Sequence, residues 1–125
     1  MCARFVPMST DQYLAEEQLP GEVTKVVLRG RIDGIGASAI DLRMNLIAGK
    51  SKRVLLDLEQ VSYISSLGLR SILVPARTVT GKGGKLVLFR PSPSVAEVLQ
   101  ISGIHSILPI HTELAAALAE FSAIA

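Results

Sequence analysis

The 125-residue chain has few of the side chains on which enzymes and metal sites depend. It contains one cysteine, two histidines and no tryptophan, and aromatic residues make up 4% of it. A single cysteine, Cys2, can form neither an internal disulfide nor a cysteine cage for a metal. His105 and His111 belong to no HxxxH or HExxH pattern, so they make a poor metal site. We therefore expect no metal and no other cofactor.

Long hydrophobic runs are also missing, although 49% of the residues are hydrophobic. The longest apolar stretches span a few residues, whereas a helix needs about 20 to cross a bilayer. Residues 1–10 lack the apolar stretch of a secretory signal. We expect a cytoplasmic protein without direct membrane insertion, and a core built from aliphatic side chains.

Neither sign of charge dominates the composition. Thirteen Lys and Arg residues oppose eleven Asp and Glu residues, which leaves a formal net charge of +2. This is a small excess and not a basic patch, so the sequence gives no reason to expect a nucleic-acid partner.

Hydrophobic periodicity alternates between strand and helix patterns along the chain. It predicts strands at residues 13–17, 23–28, 54–58, 85–89 and 107–108. It predicts helices over residues 36–50, from the segment 65–68 to Gly81, from the segment 91–94 to Gly103, and after Thr112 as far as Phe121. The turn signal Pro20-Gly21 joins the first two strands as a hairpin, with Gly30 ending the second strand. Pro75 is expected to interrupt the second helix, as a kink or as a shortened first half. The spacing of Ser94 and Glu97 predicts a capping box for the third helix.

This order of elements defines the expected fold class. Strands separated by helical crossovers indicate a mainly parallel sheet, and the N-terminal hairpin can add an antiparallel strand. The sequence thus predicts an α/β fold with a central mixed sheet and about four helices.

Motifs for catalysis are scarce. The chain has no GxSxG serine, and the glycine-lysine segment at residues 81–85 precedes a strand and lacks the P-loop spacing, which favours a simple turn. Asp33, Asp57 and Glu59 are the candidate carboxylates, and a strand end and a turn are their expected places. We expect a protein that is not an enzyme.

One segment does suggest a function. Ser65-Ser66-Leu67-Gly68 lies where a buried strand is followed by a helix. The first N–H groups of a helix are unpaired and its dipole favours negative charge there. A serine at this position can cap the helix, or it can accept a phosphate that the helix end tolerates. The pattern alone leaves both roles open.

Several motifs in order resemble the STAS domain, a family that includes the anti-sigma factor antagonists of bacterial sporulation and stress responses. They are GRID at 30–33, LLDL at 55–58, VSYISSLGL at 61–69, GGKLVL at 83–88, and Val95, Val98, Leu99, Ile101, Ser102 and Gly103. The resemblance extends from Gln12 to Phe121. It implies a STAS-like fold, with residues 1–11 as an N-terminal extension and residues 12–125 as a single STAS domain.

The resemblance also implies a mechanism. The unphosphorylated antagonist binds an anti-sigma factor that is a serine kinase, which frees a sigma factor for transcription; phosphorylation reverses the binding and a serine phosphatase resets it. The acceptor position of the family corresponds to Ser66, with Ser65 as the alternative acceptor. Ser65 stands where the family has Asp, and Leu67 stands where it has Ser or Thr.

Partner-binding residues follow from the same resemblance. They are Asp33, Arg31, Ser65, Leu67, Gly68, Leu69 and Arg70, although solvated surface roles are an alternative for the two arginines. A homodimer is possible because an aliphatic-rich surface can self-associate. The main alternative function is a STAS regulatory subunit of a membrane transporter, such as a lipid-trafficking ABC complex, without phosphorylation. A small-ligand module and a catalytic domain are further alternatives.

Overall fold

The computed structural model describes residues 13–124, which form one sheet with helices on both faces. The strands are β1 (Leu14–Leu19), β2 (Val23–Ile32), β3 (Arg53–Ile64), β4 (Lys85–Phe89) and β5 (Ile110–His111). The helices are α1 (Gly34–Lys50), α2 (Ser66–Gly81), α3 (Pro93–Ser102) and α4 (Leu114–Ala119), and short 3-10 helices cover Ile104–Ser106 and Glu120–Ala123. The N-terminal extension expected over residues 1–11 lies outside the described residues.

The strands lie in the sheet in the same order as in the chain. β1 is antiparallel to β2, and each later pair is parallel. The predicted α/β class, with a mainly parallel sheet and an N-terminal hairpin, is confirmed. Because helices connect the parallel strands, α1 and α2 both begin at the sheet edge where β2 and β3 end.

Two hydrophobic clusters hold the helices to the sheet. β3 is central, and its residues 54–58 are all buried. The larger cluster packs aliphatic side chains of α1, α2 and α3 against one face, among them Ile40, Ile72 and Leu99. The smaller cluster packs Ala117 and Phe121 against the other face. None of the helices within residues 13–124 has the length and hydropathy of a membrane span.

Two expected breaks are absent. β2 continues past Gly30 to Ile32, because Gly30 takes a φ of +76° at a register shift that keeps the strand paired with β3. α2 runs without interruption from Ser66 through Pro75 to Gly81, so the predicted interruption and shortened first half are wrong, while a kink at Pro75 stays a prediction. Pro75 removes one hydrogen bond from the helix, but its side chain is buried and its packing contributes to holding the helix on the sheet.

The predicted capping box of α3 is also wrong. The residue that precedes the helix is Ser92, not Ser94, and no side chain caps the helix. Pro93 occupies the first turn, where a missing N–H costs nothing. The Ser92 hydroxyl instead donates to the Val61 carbonyl oxygen at 2.9 Å, which ties the start of α3 to β3.

The last strand and helix are displaced from their predicted places. β5 is Ile110–His111 and not residues 107–108, because the chain forms a 3-10 helix directly after Gly103, whose φ is +82°. α4 is preceded by Glu113 and not by Thr112. Local pattern alone could not position these short elements, since they contain few periodic residues.

A charged cluster holds the C-terminal segment against β4 and β5. Glu120 accepts hydrogen bonds from His111 Nε2 at 2.7 Å and from Lys85 Nζ at 2.9 Å. The hydrogen bond from His111, followed by that from Lys85, holds the pKa of the Glu120 carboxyl below its ordinary value of 4.5. A lowered pKa means that the ionised carboxylate stabilises the fold above its unfolded pKa and that this contribution is lost as the pH falls.

Glu120→Gln should therefore destabilise the protein in a pH-dependent way. We expect a loss of about 1 kcal/mol at pH 7, which shrinks below pH 4.5 as the wild-type carboxylate takes up a proton. Urea unfolding of wild type and variant, at pH 7 and at a pH below 4.5, measures the loss of stability under each condition. Glu113→Gln, which changes an exposed carboxylate on the same segment, should alter stability by less than about 0.5 kcal/mol. An equal loss for Glu120→Gln at both pH values would contradict this account.

Candidate functional site

The site predicted from Ser65-Ser66-Leu67-Gly68 lies at the carboxyl ends of β2 and β3. Ile32 and Ile64, the last residues of these strands, are paired. The Ser65 N–H donates to the Ile32 carbonyl oxygen at 3.0 Å, and the Ser65 hydroxyl donates to the same oxygen at 3.3 Å. The start of α2 is thereby fastened to the end of β2.

Two glycines let both helices start against β2. A Cβ atom on Gly68 would lie 2.3 Å from the Ile32 carbonyl oxygen, and one on Gly36 would lie 2.4 Å from the Arg31 carbonyl oxygen. Real Cβ atoms do not approach backbone oxygens so closely, so any side chain would push the helix away. The absence of a side chain brings the N-termini of α1 and α2 next to one another.

The two serines have different surroundings. Ser65 is partly buried and caps α2, since its hydroxyl oxygen accepts a hydrogen bond from the Gly68 N–H at 3.2 Å. Ser66 is the first residue of the helix and is exposed. Its hydroxyl forms no hydrogen bond with any residue in 13–124. One serine thus caps the helix, and the other has the exposed hydroxyl.

Arg31, near the end of β2, and Asp33, which precedes α1, form a second charged feature of the site. The Asp33 Oδ1 atom accepts hydrogen bonds from the Ile35 and Gly36 N–H groups, both at 3.1 Å, and caps the helix. The hydrogen bond from the Gly36 N–H is the main cause of a lowered pKa at the Asp33 carboxyl. The hydrogen bond from the Ile35 N–H and the positive charge of Arg31 lower the pKa further. Arg31 Nε lies 3.6 Å from Asp33 Oδ2, and its guanidinium lies 4.3 Å from the centre of the Tyr63 ring.

The remaining predicted residues divide between surface and core. Leu67 is 55% exposed and its side chain lies over Gly34 at the start of α1. Arg70 is exposed, one helical turn after Ser66, and lines a cavity with it. Leu69 is 9% exposed and belongs to the larger core cluster, so the expectation that it contributes exposed partner surface is wrong. It lies two positions from Leu67 on the helix, which turns its side chain toward the sheet.

A groove of about 430 Å³ separates α1 from α2. The Ser71 hydroxyl donates across it to Asp41 Oδ1 at 2.5 Å. Leu67, Arg70 and Val74 line the α2 side of the groove. Asp41 and Ser71 escaped the sequence analysis because they are 30 residues apart and belong to no shared motif.

The candidate carboxylates do not assemble a catalytic group. Asp57 is 3% exposed within β3 and lies 3.8 Å from Lys25 Nζ and 3.4 Å from Arg90 Nη2. Glu59 lies 3.0 Å from the same arginine nitrogen, whereas Asp33 caps a helix. Within residues 13–124 no three His, Cys, Asp or Glu side chains are grouped to hold a metal.

The family is shown by sequence comparison. A model of the STAS domain matches residues 15–117. The chain belongs to the STAS domain family. BtrV of Bordetella bronchiseptica, named as a candidate anti-sigma factor antagonist, is 38% identical over 95 residues, which cover 75% of this chain and 82% of BtrV. The anti-sigma F factor antagonist of Paenibacillus polymyxa is 26% identical over 101 residues, covering 79% of this chain and 86% of the relative.

Solved structures share the fold of this STAS domain. The anti-sigma factor antagonist SpoIIAA in its unphosphorylated form matches with a TM-score of 0.69 and 24% identity, over 82% of this chain and 91% of SpoIIAA. A sulfate transporter family protein from Wolinella succinogenes matches with a TM-score of 0.70 and 19% identity, over 83% and 88% of the two chains. At these identities the likeness shows the fold alone.

The sequence analysis missed the exposed apolar side chains of α1 in this STAS domain. Ile35, Leu42 and Leu46 are 75%, 71% and 58% exposed, and Val74 on α2 is 43% exposed. The three α1 residues recur at intervals of seven and four, which places them on one face of the helix. Their spacing could have shown this second stripe, because the buried stripe uses other positions.

Gly68→Ala should destabilise the domain, because its methyl group would meet the Ile32 carbonyl oxygen. We expect a loss of about 1–3 kcal/mol, typical of overpacking. Gly49→Ala is the matched control: Gly49 lies in α1 with no atom within 4 Å of an added Cβ, so the change should stabilise by up to about 1 kcal/mol. Chemical denaturation measures both, and losses of equal size would refute the close-approach argument.

Ser65→Ala and Ser66→Ala should differ in stability, because only Ser65 caps α2. We expect Ser65→Ala to cost about 1 kcal/mol and Ser66→Ala to change stability by less than about 0.5 kcal/mol. Thermal and urea unfolding of the two variants tests this division. The reverse order would mean that Ser66 supplies the cap.

Proposed function

We propose that this STAS domain is a cytoplasmic anti-sigma factor antagonist, a protein-binding switch whose complex with an anti-sigma factor serine kinase is released when Ser66 is phosphorylated. The observation that supports it is the exposed Ser66 hydroxyl, which forms no hydrogen bond within the described residues, at the first position of α2. Binding of the kinase would free a sigma factor and so regulate transcription. A serine phosphatase would restore the binding form.

The phosphate acceptor is Ser66 and not Ser65. The Ser65 hydroxyl donates to the Ile32 carbonyl oxygen, so a phosphate there would replace the donated proton and set its negative charge against that oxygen. Transfer of a phosphoryl group to the Ser66 oxygen replaces only its hydroxyl proton. The fold beneath it stays as it is.

The free domain tolerates a phosphate on Ser66 for electrostatic reasons. A phosphoserine has a charge of about −1.5 to −2, and the N-terminus of a helix favours negative charge. α2 has no acidic residue in its first turn, so the phosphate meets no carboxylate there. Arg70 lies one turn further on the same face, within the spacing at which helical side chains interact.

The surroundings of Ser66 explain how a phosphate would disrupt a complex. Leu67, Ile35 and Val74 are apolar and between 43% and 75% exposed, which suits contact with a partner surface. A partner that covers these side chains would also take Ser66 out of water. A dianion buried in such an interface loses its hydration, and the cost of that desolvation favours dissociation.

Phosphorylation and binding can be tested with matched variants. After incubation with its cognate anti-sigma factor serine kinase, we expect mass spectrometry to locate the phosphate on Ser66. Ser66→Asp should lower the affinity for that kinase at least tenfold, about 1.4 kcal/mol, while Ser66→Ala should bind normally and accept no phosphate. Ser94→Asp introduces the same charge at an exposed serine in the first turn of α3 and should leave binding unchanged.

Phosphate on another residue, or undiminished binding by Ser66→Asp, would overturn the proposal. The alternative function, a regulatory subunit of a membrane transporter, predicts a different set of binding partners in cells. The domain would then co-purify from cells with a permease and an ATPase, and Ser66→Asp would leave that association unchanged.

A further inference from the structure

A second cleft lies at the opposite end of the sheet from Ser66. It measures about 880 Å³ and is open to solvent where β2 and β3 begin and α1 ends. Its walls include the cations Lys50, Lys52 and Arg53 and the uncharged polar side chains of Gln18, Thr24 and Ser51. The proposed function makes no use of this cleft.

The side chains that line the cleft are positive on balance. Three cations and one carboxylate, Glu22, line it, which is a net charge of +2 for the lining, and Glu16 beside Lys50 reduces it. Glu22 offsets the charge poorly, because its side chain is 91% exposed and its Oε1 atom lies 3.9 Å from Arg53 Nη1. Lys50 Nζ lies 3.6 Å from Glu16 Oε2.

Lys52 is the most available of the three cations. Its side chain is exposed and forms no ion pair or hydrogen bond with any residue in 13–124. Its backbone is nevertheless fixed, since the Lys52 carbonyl oxygen accepts from the Lys85 N–H at 2.8 Å and Gly84 packs directly against it. Lys50 stands in the last turn of α1, where a cation offsets the helix dipole, but Lys52 follows the helix end and has no such role.

Hydroxyl groups complete the polar wall. Thr24 is 1% exposed, and its Oγ1 atom lies 2.6 Å from Ser51 Oγ and accepts from Gln18 Nε2 at 3.1 Å. The contact between the two hydroxyls uses one of their two protons, whichever residue donates. Where Thr24 donates, the proton of the less buried Ser51 is left for an acceptor in the cleft.

We propose that this cleft binds a small molecule through its phosphate groups. Cations together with a hydroxyl donor match the acceptor oxygens of a phosphate. No aromatic or large aliphatic side chain lines the cleft, so its specific contacts come from its polar and charged groups. The volume lies within the range of about 300–1,000 Å³ usual for small-molecule sites. β2, whose ten residues extend about 30 Å, separates the cleft from the switch.

The test is an NMR titration of the full chain with inorganic pyrophosphate at constant ionic strength. We expect saturable shifts of the backbone amides at residues 18–24 and 50–53. Lys52→Gln should weaken binding about tenfold, as expected for loss of one charge-assisted contact. Lys82→Gln removes a cation from the adjacent turn outside the cleft and should bind like wild type.

Titrations with orthophosphate and ribose 5-phosphate distinguish the kinds of ligand. Tighter binding of the sugar phosphate indicates an organic ligand, and tighter binding of pyrophosphate indicates an inorganic ligand.

Three results would overturn the proposal. They are shifts that rise linearly without saturation, equal shifts with sulfate, and an equal loss of affinity in Lys52→Gln and Lys82→Gln. Each would mean general attraction of anions to a basic surface. Because Lys52 is exposed, both variants are expected to fold, and thermal unfolding confirms that. The outcome is independent of whether Ser66 is phosphorylated.

Discussion

The carbonyl groups of Arg31 and Ile32 at the end of β2 determine where both helices of the candidate site begin. Gly36 and Gly68 leave no room for a side chain against these oxygens, and the Ser65 N–H donates to one of them at 3.0 Å. The N-termini of α1 and α2 are therefore neighbours. The exposed position of Ser66 and the placement of Leu67 over the start of α1 both follow from this contact.

The caps of the two helices differ in charge, and this difference determines the electrostatic environment at the start of each helix. Asp33 caps α1 with a carboxylate, which offsets the positive end of that helix dipole. Ser65 caps α2 with a neutral hydroxyl, so the positive end of α2 is not offset. The family resemblance places an aspartate at position 65, and that residue would also cap the helix but would repel a phosphate on its neighbour. The serine makes the start of α2 a more favourable place for a dianion.

The sequence predicted those parts of the molecule that regular periodicity encodes. β4 and the buried face of α1 appear where the pattern placed them, because alternating or helical spacing of aliphatic residues is a strong local signal. Contacts between distant residues were out of reach: the Asp41–Ser71 hydrogen bond and the clash that excludes a side chain at Gly68 depend on tertiary packing. Pro75 shows the same limit, since burial in the core overrides its local tendency to break a helix.

In the proposed switch, a phosphate on Ser66 would act on a partner without refolding this domain. The residues beneath it, Gly68, Leu69 and Ile72, are buried against the sheet, and the cap belongs to Ser65. The change in the free energy of binding must then arise where the partner covers the surface around Ser66. Leu67 would increase this change in binding free energy. Its apolar side chain, in place of a hydroxyl, would give the partner a contact that excludes water. A charge beside such a dry contact costs more to desolvate than a charge beside a hydrated hydroxyl. In the proposed complex, the leucine at position 67 would thus strengthen the bound state and raise the cost of the phosphate through the same exclusion of water.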